Sequence, residues 1–161
     1  MDREAFIAQL GGIYEHSPWV AERAWQARPF RSRDALHAEM EAVVAAAGHE
    51  EQLALIRAHP ELAGRLAVAG QLTSASRGEQ AGAGLDRCTP EEFARLQALN
   101  AAYREKFEFP FIIAVRGLTR TQIIARLEQR LAHTAEQEFS ACLREIGRIA
   151  GLRLRDLIED Y

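Results

Sequence analysis

A chain of 161 residues fits one domain large enough to enclose a core. Its 48% hydrophobic and 27% charged residues exclude a disordered or fibrous protein. A formal net charge of -3 gives no bulk attraction to nucleic acid or an anionic membrane, so neither is expected as a partner.

Helical periodicity dominates the chain. A first helix is predicted over residues 2–10, stopping at Gly11-Gly12. Ser17-Pro18 reads as an N-cap and an N1 proline opening a helix through Trp25. Ser32 caps the next, whose Leu36, Met40, Val43 and Val44 form an apolar stripe ending at Gly48. Residues 50–58 make a short helix through Leu53 and Ile56, halted at His59-Pro60. Thr89-Pro90-Glu91-Glu92 is a capping box with an N1 proline. The helix it starts carries Phe93, Leu96, Leu99, Tyr103 and Phe107 near one face. Thr119-Arg120-Thr121-Gln122 is a second capping box, opening a long helix with room for a bend or interruption.

Between these helices lies Phe109-Pro110-Phe111-Ile112-Ile113-Ala114-Val115-Arg116-Gly117. Its β-branched run is strand-like, but no other segment offers a strand partner. The predicted fold is therefore all-α, a single-domain helical bundle over residues 1–161 with a buried extended loop near residues 109–117. Such a loop needs partners for its backbone N–H and C=O groups. A polar ligand rich in amide-like groups could supply them; so could side chains and water around a plain core plug.

Several residues could do chemistry. His59 precedes Pro60, which pushes it out of the helical region and lets its imidazole project into a cleft. The plainer role is a helix-terminating histidine that caps carbonyls. Ser76, Glu79 and Gln80 share a helix face at i, i+3 and i+4, presenting a hydroxyl, a carboxylate and an amide. Ser-x-x-Glu is also a capping box, in which both side chains only satisfy backbone donors. Gln80 is not explained by capping, and Gly82 and Gly84 would permit close approach of a ligand or another backbone. Arg116 could meet a carboxylate with two parallel hydrogen bonds, or make a structural ion pair. His16 reads as a packing or capping element, while His37, His49 and His133 read as solvated.

Other chemistries are poorly served. No Glu-x-x-His pair, His-Glu-x-x-His motif, Gly-rich phosphate loop or nucleophile elbow occurs, so activity is expected not to need added metal. The groups Arg28, Arg31, Arg33 and Arg144, Arg148, Arg153, Arg155 lack a nucleic-acid module and read as solvated surface. Lys106 is the only lysine, which fits genomic base composition as well as anion recognition by arginine. Cys88 and Cys142 form neither a disulfide framework nor a metal spacing and suit a reducing compartment. With no secretion-type start, no stretch able to span a bilayer and no peroxisomal tripeptide in Glu159-Asp160-Tyr161, a cytoplasmic protein is expected.

Three segments occur in order: Ala58-His59-Pro60-Glu61-Leu62-Ala63-Gly64, Ser76 through Leu85, and Phe109 through Gly117. Together with His16-Ser17-Pro18-Trp19 and Arg28-Pro29-Phe30, they resemble the 2-oxo-4-hydroxy-4-carboxy-5-ureidoimidazoline (OHCU) decarboxylases, from about residue 6 to residue 158. The resemblance implies a single helical domain, a homodimer, and decarboxylation of OHCU to (S)-allantoin in urate degradation, with neither metal nor organic cofactor. It places the proton-donating histidine at His59 and Pro60 beside the ligand. It matches Ser76, Glu79 and Gln80 to the pocket helix, and Phe111, Ile112, Ile113, Ala114 and Val115 to a segment that binds the substrate ring through its backbone. Arg116 is carried over as a further substrate contact. His59 and Glu79 are then the catalytic pair, with the assignment of the two proton transfers between them left open. Two other readings stand beside this one: a helical enzyme acting on a different ureido or imidazoline acid, and a non-catalytic interaction module.

Overall fold

Asp2 opens α1 (Arg3–Leu10) by accepting a hydrogen bond from the Ala5 N–H at 2.8 Å. The structure is a computed structural model and describes residues 1–62 and 72–158. Ala63 and Gly64 of the first motif and the terminal Glu159-Asp160-Tyr161 lie outside the described residues. Among the described residues there are eight α-helices and no strand, as the periodicity predicts. None of those helices is long and apolar enough to cross a membrane. The chain divides into two compact units, Met1–Ala58 with Ile146–Tyr161, and His59–Glu145.

In the first unit α2 (Trp19–Ala24) departs from expectation. Ser17 does not cap it; the hydroxyl instead donates to the Glu15 carbonyl, and Pro18 occupies the cap position in a helical conformation. A 3₁₀ turn, Trp25–Ala27, follows. Ser32 does cap α3 (Arg33–Ala46), which buries Leu36, Met40 and Val44. Val43 of the predicted stripe is half-buried. In α4 (His49–Ala58) Leu55 and Ile56 point inward, whereas Leu53 is half-buried.

Three side chains of this unit sit otherwise than their sequence context implies. His16 is exposed, at a positive φ of 48°, rather than packed. His37 is not solvated: its Nε2 lies 2.8 Å from the Gly147 carbonyl and 3.1 Å from Glu41. Arg153 is not surface; it is 7% exposed, pairs with the buried Glu15 at 2.8 Å and donates to the Ile13 carbonyl. An arginine on a helix reads as solvated by default, but a buried carboxylate elsewhere in the chain reverses that default.

In the second unit come α5 (Ser74–Gly82), a 3₁₀ turn at Leu85–Arg87, α6 (Pro90–Phe107), α7 (Arg120–Arg130) and α8 (Ala135–Leu157), which runs on into the first unit. Both predicted capping boxes form. The long helix is interrupted: residues 131–134 break it, and Thr134 with Gln137 makes a third reciprocal box that starts α8. Glu108 takes a left-handed φ of 64° at the end of α6 and releases the chain into the extended loop. Phe109 and Phe111 pack there against Tyr103, burying both rings. Phe93, expected on the inner face of α6, is 36% exposed.

Candidate active site

Every predicted site residue falls in the second unit. His59 lies just beyond α4 and is buried. The chain after it is fixed from two helices. Gln80 on α5 donates its amide to the Glu61 carbonyl at 3.4 Å, and Asn100 on α6 donates to the Leu62 carbonyl at 3.0 Å. Arg104, one turn after Asn100, pairs with the Glu61 carboxylate. Pro60 is half-buried between these fixed points and His59.

The register of α5 bears on the capping alternative. Thr73, not Ser76, is the N-cap: its hydroxyl oxygen accepts from the Ser76 N–H at 3.2 Å. Ser76 therefore stands inside the first turn, and Ser76-x-x-Glu79 is not the capping box of this helix. Ser76 and Gln80 are buried on one face, with Glu79 half-buried beside them. Of the two glycines, Gly84 has a structural use. Its φ of 78° turns the chain out of α5, and the Arg120 side chain packs 3.7 Å from where a Cβ would stand. Gly82 faces open space.

The extended loop is held along one edge. Arg130 donates to the Ile112 carbonyl at 2.5 Å, the Cys142 thiol points at the Pro110 carbonyl at 3.8 Å, and the Ala114 N–H reaches a Glu145 carboxylate oxygen at 3.5 Å. The Ile112 N–H is directed at the Cys142 sulfur. Arg130 also lies 4.4 Å from the centre of the Phe111 ring. Gly117, at φ 83°, completes a turn in which the Leu118 N–H bonds the Val115 carbonyl. Arg116, on that turn, is exposed.

Beneath the loop the guanidinium of Arg130 pairs with Glu138 at 2.7 Å, and Glu138 is completely buried. The same carboxylate accepts from the Tyr103 hydroxyl at 2.7 Å and meets His133 Nδ1 at 2.9 Å. His133 is thus engaged with a buried anion rather than simply solvated. Protonation states follow from the surroundings. Burial, with Cys142 and Glu138 nearby, pushes the Tyr103 hydroxyl far above its ordinary range. Burial also raises the Cys142 thiol, against the pull of Tyr103 and Arg130. Burial opposes charge on Arg130, but Cys142, Glu138 and Tyr103 outweigh it and hold the guanidinium protonated. At neutral pH Tyr103 and Cys142 are therefore uncharged and Arg130 is a cation.

Sequence reasoning missed Asn100, Arg130, Glu138 and Glu145. One signal was present: an interruption after Arg130, capped at Thr134, puts the end of α7 and the first turn of α8 within reach of each other. That arrangement favours a cation on the first and an anion on the second.

The family model for OHCU decarboxylase matches residues 1–155. The chain belongs to that family. It is 44% identical over 156 residues to the 2-oxo-4-hydroxy-4-carboxy-5-ureidoimidazoline decarboxylase of Haloferax volcanii, covering 97% of this chain and 90% of that protein. It is 42% identical to the uric acid degradation bifunctional protein of Bacillus subtilis over 99% of its own length and 32% of that larger chain. Among solved structures, a crystal structure of (S)-allantoin synthase superposes with a TM-score of 0.80 at 33% identity, over 99% of this chain and 52% of that one. An OHCU decarboxylase crystallised in the presence of (S)-allantoin superposes with a TM-score of 0.73, with 98% of both chains covered; at 18% identity it speaks for the fold.

Proposed function

We propose that this protein is a carboxy-lyase that converts OHCU to (S)-allantoin in urate degradation, using acid–base catalysis without a cofactor. The observation that carries the reading is the family match along residues 1–155, within which all three motif segments fall. The register of α5 adds support, because a helix capped by Thr73 does not need Ser76 and Glu79 for capping.

The substrate makes the chemistry feasible. Decarboxylation usually requires an electron sink such as pyridoxal phosphate or thiamine. In OHCU the carbon bearing the carboxylate is adjacent to a ring C=N. As the bond to CO2 breaks, its electron pair forms a ring C=C and the C=N pair passes to nitrogen, which takes a proton. The enol-like intermediate then gives up its hydroxyl proton and receives one at the neighbouring carbon, leaving a ring amide carbonyl. Overall one proton is consumed and CO2 released.

Few groups are needed for this. Glu79 orients the substrate hydroxyl and accepts its proton, and His59 delivers a proton to carbon from one face; the exchanged assignment uses the same two groups. Pro60, Ser76 and Gln80 shape and orient the ring. Backbone groups of the segment from Phe111 to Val115 that α7 and α8 do not engage bind it, and Arg116 meets the carboxylate. Residues 1–161 act as one functional domain in this reading, supported by a family match that runs through both compact units. The reading extends to a homodimer, on the family resemblance, and to the cytoplasm, where the free thiols Cys88 and Cys142 are at home.

Purified protein added to OHCU, generated from urate by upstream enzymes, tests this with a strong chelator present. Accelerated loss of OHCU is expected. A rate equal to spontaneous decay would remove the enzyme assignment, and activity that disappears only on chelation would remove the cofactor-free mechanism.

A further inference from the structure

We infer that Arg130, clamped by Glu138, is a positioning residue that holds one edge of the extended loop so that the backbone groups of Phe111 and Ile113 face the substrate. This rests on the decarboxylase reading and assigns its binding loop a working edge.

In extended backbone the N–H and C=O of one residue point to the same side, and those of the next residue to the opposite side. The groups engaged by α7 and α8 belong to residues of one parity: the Pro110 carbonyl, the Ile112 carbonyl and N–H, and the Ala114 N–H. Their partners, Cys142, Arg130 and Glu145, line that single edge. The backbone groups of Phe111 and Ile113 then belong to the other edge. There a planar ring with amide-like N–H and C=O groups can pair with them as a neighbouring strand would.

The clamp is built to be stiff. Arg130 reaches the Ile112 carbonyl, while Glu138 fixes the guanidinium and is itself fixed by Tyr103 and His133. Fully satisfied buried networks of this kind rigidify what they hold, and a preformed donor–acceptor edge lowers the ordering cost of binding. The arginine fork suits this role, since Nε serves Glu138, one terminal nitrogen serves Ile112, and the other points at Cys142.

Paired variants separate holding the fold from holding the loop. Arg130→Met alone strands a buried carboxylate and is expected to lower the melting temperature sharply. Arg130→Met/Glu138→Gln removes that imbalance, so stability should return toward wild type while KM for OHCU and Kd for (S)-allantoin stay raised by at least about ten-fold, the worth of a hydrogen bond to a charged group. Because His59 and Glu79 are untouched, kcat should fall less than KM rises. Glu145→Ala, at a half-exposed position, is a second variant that needs no refolding of the core. It should raise KM a few-fold with an unchanged melting temperature. Wild-type KM and Kd in a folded double variant, or in Glu145→Ala if the double variant does not fold, would overturn the clamp. Wild-type protein that neither turns over OHCU nor binds (S)-allantoin would overturn the underlying reading and the clamp with it.

Discussion

The two halves of the candidate site are built from opposite materials. Around His59 and α5 the chemistry is in side chains: an imidazole beyond a helix end, and a hydroxyl, a carboxylate and an amide on a helix face. At the extended loop the proposed function puts it in the backbone, with side chains that hold rather than react. Arg130, Glu138, Tyr103 and Cys142 bond one another and the loop they support. The difference shows why two polar clusters of one protein need not have the same use. A side chain that acts on a ligand must be reachable and of one particular type. A side chain that positions backbone can be buried and saturated with partners, as Arg130 is.

The largest effect is expected on the reactive half. His59→Asn should leave the fold intact and lower the rate by roughly 10²–10⁴-fold, the usual contribution of a positioned proton-transfer group. Glu79→Gln should follow closely. It keeps the size and an acceptor oxygen, and since Thr73 caps α5 its melting temperature should barely move. The double variant should be much less than multiplicatively worse if the pair works as a unit. Near-normal turnover by Glu79→Gln would erase the distinction, leaving Glu79 a structural residue and His59 without its partner.

The backbone half should respond to shape and donor loss instead. Ile113→Ala should weaken packing or substrate binding modestly. Ile113→Pro deletes an N–H on the edge assigned to the ligand and should be more damaging to KM. Equal binding and stability in the two variants would contradict the assignment. The smallest effect on activity is expected from the other buried ion pair. Arg153→Met breaks the contact with Glu15 in the first unit and should cost about 3–5 kcal/mol of stability. Measured well below its melting temperature, its KM should match wild type. A KM change as large as that of the Arg130 double variant would mean that any buried pair in this protein affects binding, and the comparison would fail.

What could be read from the sequence divides along the same line. His59 stands out because the proline after it ends a helix, and Ser76, Glu79 and Gln80 because polar residue types at helical spacing form a local pattern. The extended loop stood out because a β-branched run without a strand partner conflicts with the helical periodicity around it. Its clamp was hidden, since Arg130 and Glu138 look like ordinary helix-surface charges until the interruption at residues 131–134 turns them toward each other. Arg153 and His37 were misjudged for the same reason: their partners, Glu15 and the Gly147 carbonyl, are far away in the chain. Ser17 was misassigned as a cap because Ser-Pro carries the N-cap pattern, while the backbone there lets its hydroxyl bond Glu15 instead. Long-range polar pairing leaves no periodic trace.

The handedness of the product tests the central claim most directly. Spontaneous decay of OHCU has no face preference and yields racemic allantoin. Delivery of the final proton by one positioned acid on a ring held by a fixed backbone edge must yield one enantiomer. Circular dichroism should show a (S)-allantoin signal growing as OHCU disappears in the presence of wild-type protein, and a slower signal with His59→Asn. Racemic product at an accelerated rate would contradict the account, because it would mean that the substrate is not held while it is protonated.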